Sequence, residues 1–346
     1  MLFKSASNSV FAKARAMYGK RLSSQNYSEL MSCHSVPEIA SYLKHRTDYS
    51  SVLGEINEND VHRGQLEMVL KKKIFIDFSS LGMYDISVKE HFSDYIISRM
   101  EIEQIMHILM LLSANKTTEY IHSVPTFLEN HTKVDLNSFS KLQDYSDFLN
   151  AVSHSKYYKI LKPFAPIKGK EIDLTGIETA LYTYLYKNLF SIIDKSGKSA
   201  KRELYNMFNC YIDYTNFVRI LRLKKYYNYS SAQIREALFH FGSLKRNVLE
   251  NMINAESIEE VFNIMKSTPA GRKLSSIDYN YPDELPRKFR FLSCVHYIRF
   301  SANPSVVMMS YIFLAEIELH NIVNIIEGIR YNLPTNEINK MLIYTD

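Results

Sequence analysis

Residues 35–53 read SVPEIASYLKHRTDYSSVL. Ser35 stands three residues before Glu38, the spacing of a capping box, and Pro37 falls in the first turn. Val36, Ile39, Tyr42 and Leu43 then share one helical face. The pattern predicts one amphipathic helix over the whole stretch. The chain writes the stretch twice more. Residues 144–161 read DYSDFLNAVSHSKYYKIL and residues 257–274 read SIEEVFNIMKSTPAGRKL. Asp144 aligns with Ser257, Phe148 with Val261, Val152 with Met265, Ser155 with Thr268 and Leu161 with Leu274, all at an offset of 113 residues. The first copy aligns after a one-residue adjustment. A long element recurring at that interval signals a repeat architecture.

The sequence outward from these stretches repeats as well. Glu101-x-x-Gln104 leads the apolar stripe Ile105, Ile108, Leu109 and Leu112. Asp213-x-x-Asn216 leads Phe217, Ile220 and Leu221, and Glu318-x-x-Asn321 leads Ile322, Ile325, Ile326 and Ile329. Hydroxyl pairs then restart the chain at Ser23-Ser24, Thr117-Thr118 and Ser230-Ser231, and Thr335 does so in the last copy. The N-terminal copy lacks most of the acid–amide lead-in, and the chain ends on a half-copy that supplies one. The expected architecture is therefore all-α, with three similar lobes: residues 1–95 completed by 311–346, residues 96–200, and residues 201–310. Residues 195–201 (KSGKSAK) are the best linker candidate. The acid–amide pairs are expected at helix starts, as caps and macrodipole partners. A polar contact between lobes or with a partner is the sharper alternative.

Composition bounds the answer. Of 346 residues, 46% are apolar and 23% charged, which is a globular balance. Only 10 Gly and 9 Pro leave few turns, so long helices are favoured over many short strands. A net charge of +5 does not argue for a dedicated nucleic-acid binder. Cys33, Cys210 and Cys294 are odd in number and far apart, which fits a reducing compartment and no disulfide framework. No run reaches the roughly 18 uninterrupted apolar residues of a membrane span. Residues 105–112 and 306–315 read as buried helices instead. The first 28 residues hold no acid and carry Lys4, Lys13, Arg15, Lys20 and Arg21, the look of a targeting segment. Their alignment with the repeat favours a folded element.

No catalytic set emerges. Gly197-Lys198-Ser199 has the tail of a phosphate-binding loop, but position 192 is Ile where that loop needs Gly. Cys33-His34 has no second half with metal-ligand spacing. His107 reads as a core histidine in an apolar stripe. The basic runs are 71–73, Arg219/Arg222/Lys224/Lys225 and Arg287/Lys288/Arg290. A solvated helix face is the plain explanation of each. The sharper one is that Arg219, Arg222, Arg287 and Arg290 border one surface and steer an acidic partner. No residue is assigned to catalysis, a cofactor or a metal, and the expected role is mechanical or adhesive.

Taken together, these motifs resemble those of a family: the central-stalk C-subunit (the d-subunit in eukaryotes) of the V-type and A-type rotary ATPases, in its bacterial V/A form. The similarity runs over the whole chain. It is carried by Ala12-Lys13-Ala14-Arg15, then Arg21-Leu22-Ser23, then the 35–53 stretch closing on Thr47-Asp48-Tyr49-x-x-x-Leu53. It continues in Asp213-x-x-Asn216-Phe217-x-x-Ile220-x-Arg222 and in Glu318-x-x-Asn321-Ile322-x-x-Ile325-x-x-Gly328-Ile329. One departure stands in copy three, where Thr268-Pro269-Ala270 replaces the tyrosine of copies one and two, Tyr49 and Tyr157. The resemblance implies three lobes around a pseudo-threefold axis, forming a funnel. It implies a non-catalytic rotor subunit at the cytoplasmic face of the membrane, without a transmembrane segment or signal peptide. Its partners would be the central shaft and the membrane rotor ring, with no nucleotide, nucleic acid or cofactor bound. A generic α-helical repeat adaptor is the alternative, although its periods run near 34 to 47 residues.

Overall fold

The computed structural model describes residues 2–82, 86–167 and 171–345; the stretch 162–170, whose Pro, Gly and Lys residues mark a turn region, lies partly outside them. The described residues form α-helices, 3-10 turns and loops, with no strand among them. The chain divides into two compact units: Met1–Ser155 with Cys294–Asp346, and Lys156–Ser293.

The three repeated stretches begin alike. Ser35, Asp144 and Ser257 cap the helices Val36–Arg46, Tyr145–Ala151 and Ile258–Ser267. Each cap oxygen accepts the N–H three residues on, from Glu38, Asp147 and Glu260. Each of those carboxylates reaches back to the N–H before the cap, of His34, Gln143 and Glu256. The expected box at Ser35 is thus shifted by one residue on its return arm. Two amide donors near each helix start are still satisfied.

The single helix expected over 35–53 is broken. It stops at Arg46, and Thr47 turns to φ −139°, ψ 173°. The Thr47 hydroxyl donates to the Leu43 carbonyl and accepts the Tyr49 N–H. A hydroxyl that competes for the helix's own carbonyl ends the helix, and the short helix Ser50–Leu53 follows. Thr268, at the end of helix Ile258–Ser267, donates likewise to the Met265 carbonyl. In the second stretch the helix ends earlier, at Ala151, and Ser155 donates to Val152 in the turn that follows. Each stretch is therefore a capped helix, a hydroxyl-bonded break and a short second turn, with the hydroxyl at the helix end in the first and third and beyond it in the second. In the third stretch that turn is the 3-10 helix Gly271–Ser276. There Tyr49 and Tyr157, both buried, give way to Ala270, whose carbonyl accepts the Tyr214 hydroxyl. A Cβ on Gly271 would overlap the Met265 carbonyl oxygen. Gly271→Ala should destabilise the second unit by about 1–3 kcal/mol, the usual cost of overpacking, read as a lower denaturation midpoint. An unchanged midpoint would show that this tight turn relaxes freely.

In the first unit, helix Pro304–Arg330 is central. It packs on Leu2–Gly19, Arg63–Gly82, Ser24–Met31, Val36–Arg46 and Thr335–Lys340. By length and composition it could cross a membrane, but 72% of its apolar window is buried against protein, as in a core helix. The N-terminal helix buries Val10, Ala14 and Tyr18, spaced one turn apart, with Phe11 and Met17 half-buried at the edges of that stripe. Arg15 donates to the carbonyls of Ile298 and Ser301 at 2.8 and 3.1 Å, at the C-terminal end of helix Leu285–Phe300, where the macrodipole favours a cation.

In the second unit, helix Lys198–Tyr226 presents Tyr214, Phe217, Ile220 and Leu221 to a core completed by Ile234, Met252, Val261, Met265 and Phe289. The Tyr214 and Phe289 rings stack at 3.7 Å, which lays helix Leu285–Phe300 alongside helix Lys198–Tyr226. The expected linker 195–201 is mostly helical. Only 195–197 separate helices Leu174–Asp194 and Lys198–Tyr226, and they lie inside this unit.

The four restarts differ. Ser23 and Ser230 close true capping boxes with Asn26 and Gln233. Residues 117–123 form a 3-10 helix, and the Thr117 hydroxyl donates instead to the Leu142 carbonyl. The Thr335 helix has no side-chain cap.

Candidate functional site

The acid–amide pairs do not start helices. Glu101 and Gln104 lie within Ile86–Ser113, Asp213 and Asn216 within Lys198–Tyr226, and Glu318 and Asn321 within Pro304–Arg330. Several helical turns precede each pair, so neither capping nor the macrodipole accounts for them. Two of the three bind loop backbone that would otherwise be buried unpaired. Asn216 donates to the Phe239 carbonyl and accepts the Phe239 N–H, both at 2.9 Å. Asn321 does the same for Ile343, at 2.8 and 2.9 Å. Asp213 accepts the N–H groups of Ser243 and Leu244 and the Ser243 hydroxyl. Glu318 accepts the Leu22 N–H at 2.7 Å and the Tyr49 hydroxyl at 2.9 Å. In the remaining pair, Glu101 and Gln104 accept the hydroxyls of Thr132 and Tyr120. All these partners lie within the pair's own unit, so the pairs are internal clamps.

The clamps have a pH signature. Burial pushes the Glu318 carboxyl up from its usual 4.5, against the hydrogen bonds from Leu22 and Tyr49. A carboxyl raised in the folded state holds its proton more tightly there than in the unfolded chain. Its contribution to stability is full below pH 4.5 and is lost as pH rises through the higher folded value. The stability of the wild type relative to Glu318→Gln should therefore fall as pH rises across that window. Denaturant titrations at stepped pH measure it, and a difference independent of pH would contradict the buried clamp.

The 71–73 run is not simply a solvated face. Lys71 pairs with Glu67 at 3.0 Å. Lys73, with only 12% of its side chain exposed, lies between Asp48 at 3.3 Å and Asp77 at 2.9 Å. Tyr311 donates to Asp77 at 2.6 Å, so these charges are engaged with one another. His107 is half-buried against the Tyr120 ring, and burial lowers its pKa. No group of three His, Cys, Asp or Glu side chains that could hold a metal occurs among the described residues.

The four arginines singled out in the sequence all lie in the second unit, but they behave differently. Arg219 is turned inward. It donates to the Ala237 carbonyl at 3.0 Å, to Glu178 at 2.8 Å and to the Thr179 hydroxyl at 3.0 Å, with the Phe239 ring beneath it. Its donors are spent bracing helix Leu174–Asp194. Arg222, on the same helix as Arg219, is exposed and meets Asp283 only at 3.8 Å. Arg290, on helix Leu285–Phe300, lies 3.3 Å over the Tyr211 ring. Arg287, one turn earlier, lies near Tyr211, Glu284 and Asp283, and burial lowers its pKa.

Three guanidiniums thus share one face of two adjacent helices. Tyr211 and Asp283 are the residues that sequence reading passed over. Tyr211 and Arg222 lie 11 residues apart, three helical turns, so they fall on one face; that spacing was the available signal. The face carries positive charge and ring edges. Arginine and tyrosine bind anions and anchor interfaces.

The likeness to known proteins extends over nearly the whole chain. A family model described as "ATP synthase (C/AC39) subunit" matches residues 10–341. The A-type ATP synthase C-subunit of Methanosphaera stadtmanae is 22% identical over 347 residues, covering 96% of this chain and 86% of that protein.

Proposed function

Because the chain belongs to the ATP synthase (C/AC39) subunit family, we propose that it is the non-catalytic coupling subunit of a V/A-type rotary ATPase. In this reading it joins the soluble central shaft to the membrane rotor ring. It passes torque between ATP synthesis or hydrolysis and proton or sodium translocation. The observation that carries the proposal is the extent of the family match, which covers residues 10–341. The all-helical architecture supports it. Long helices held at mid-length by buried clamps resist shear better than a loop-rich scaffold, and an element under torque must not yield.

The three-lobed plan, closing into a funnel, belongs to the same proposal. Its support is the capped helix start and the short turn repeated in the stretches at 35, 144 and 257. A peripheral position at the cytoplasmic face of the membrane follows from the proposed partners.

We assign Arg222, Arg287 and Arg290 to a docking face for an acidic surface of a shaft or ring subunit, with Arg219 as an internal brace behind it. Charge reversal at Arg222 and Arg290 together should weaken association with the rest of the complex while lowering the thermal midpoint by only a few degrees, roughly the cost of the Tyr211 contact and the exposed Asp283 pair. Co-purification at low and high salt measures it, since screening acts on exposed charges. Association unchanged at both salt concentrations would remove the face from the proposal.

A further inference from the structure

Arg287 differs from its neighbours. Arg219 donates from each of its three nitrogens, Arg222 leans on Asp283, and Arg290 lies on a tyrosine ring. Arg287 is half-buried and makes no hydrogen bond or ion pair with any described residue. The acids closest to it are already engaged. Glu284 holds Lys288 at 2.9 Å, and Asp283 faces Arg222. A guanidinium carries five donors in a planar fork. Holding such a group half out of water without a hydrogen-bonding acceptor costs stability, which attraction to the nearby Asp283 and Glu284 only partly offsets.

We infer that Arg287 is a fork for a carboxylate: the anchor for an Asp or Glu side chain of the acidic partner that docks on this face. The inference rests on the function proposed above and names the chemistry of that contact. A single carboxylate fits better than a phosphate group. Asp283 and Glu284 lie close enough to act on Arg287 electrostatically, and they repel a doubly charged anion more than a singly charged one. A recessed guanidinium between two helices also suits one inserted side chain better than a flat lipid surface. Arginine and carboxylate pair through two parallel hydrogen bonds, which fixes orientation as well as affinity.

Two variants of the full chain test this. Arg287→Met keeps the length and apolar stem and removes the charge. In the isolated chain its thermal midpoint should be equal to or higher than the wild type's, because an unpaired half-buried charge has gone. Its association with the remaining subunits should weaken at least about tenfold, the scale of one interfacial anchor. A residue of purely structural importance would show the opposite pair of results: a lower midpoint and unchanged association. Either of these overturns the inference. Arg287→Lys keeps a charge and places an amine at the same position. A water-soluble carbodiimide should then couple that amine to the partner carboxylate, and mass spectrometry should find position 287 joined to an Asp or Glu of another subunit. Absence of that link, with binding of the wild type to phosphatidylglycerol vesicles or inorganic phosphate that Arg287→Met abolishes, would assign the fork to a phosphate group and overturn the carboxylate. Failure of the wild-type chain to co-purify with any ATP synthase subunit would remove both the function and the fork. Normal association of Arg287→Met alone removes only the fork.

Discussion

Ile39→Asp should unfold the first unit. Ile39 has no exposed surface and lies on the buried face of helix Val36–Arg46 with Ala40 and Leu43. The change deletes a fully buried aliphatic side chain, worth about 2–5 kcal/mol with the cavity it leaves. It also places a carboxylate where no donor is available, at a further cost of several kcal/mol unless the group takes up a proton. The sum rivals the whole stability of an ordinary domain, about 5–15 kcal/mol. Limited proteolysis of the variant should cut rapidly among residues 22–82. Ile39→Val at the same position should cost only about 0.5–1.5 kcal/mol and retain protection. Protection equal to the wild type in the Asp variant would place position 39 outside the core.

The second large effect is expected at Asn216. Its amide satisfies both backbone groups of Phe239, a residue only 2% exposed. Asn216→Ala leaves a buried N–H and a buried C=O without partners, at about 1–3 kcal/mol each. A total of about 3–4 kcal/mol is expected, since the loop will shift to recover part of the loss. Asn216→Asp keeps the acceptor, loses the donor and adds a buried charge, so it should be no milder. Urea denaturation followed by a probe in the second unit measures both. A loss below about 1 kcal/mol for Asn216→Ala would mean that water already reaches the Phe239 backbone.

Asn216 also shows how far the sequence could be read. The recurrence of acid-x-x-amide before an apolar stripe was plain, and so was the helical character of the stripe. Its place in the helix was not. A helix that continues through Lys198–Tyr226 carries no local mark at residue 213, because the turns before it are as helix-compatible as those after it. What distinguishes Asp213 and Asn216 is a loop 23 or more residues away, at Phe239 and Ser243. A local pattern does not show which distant backbone groups need partners.

The break at Thr47 has a similar lesson. Apolar periodicity runs across it, and the hydroxyl that stops the helix acts through a single bond to Leu43. Ser155 and Thr268 align in sequence, but only the geometry shows that Thr268 ends its helix while Ser155 lies in the turn beyond one. Helix Leu285–Phe300 is marked in the sequence itself, since a Tyr/Pro-rich loop precedes it and apolar residues recur along it at helical spacing.

The arginines divide along the same line. Their clustering in sequence was evident, whereas their roles depend on neighbours supplied by other helices. Glu178 and Thr179 draw Arg219 inward, and Tyr211 receives Arg290. Charge in a sequence marks a candidate surface. Which charges remain available is decided by packing.

The proposed role of this chain is to couple shaft to ring in a rotary ATPase. Affinity purification of the tagged full-length chain from gently solubilised native membranes tests it most directly, with mass spectrometry identifying what is retained. Both central-shaft and rotor-ring subunits of an ATP synthase should be recovered, in fixed ratio to the chain. Recovery of neither, alongside intact ATP synthase complexes that lack this chain, would contradict the coupling role.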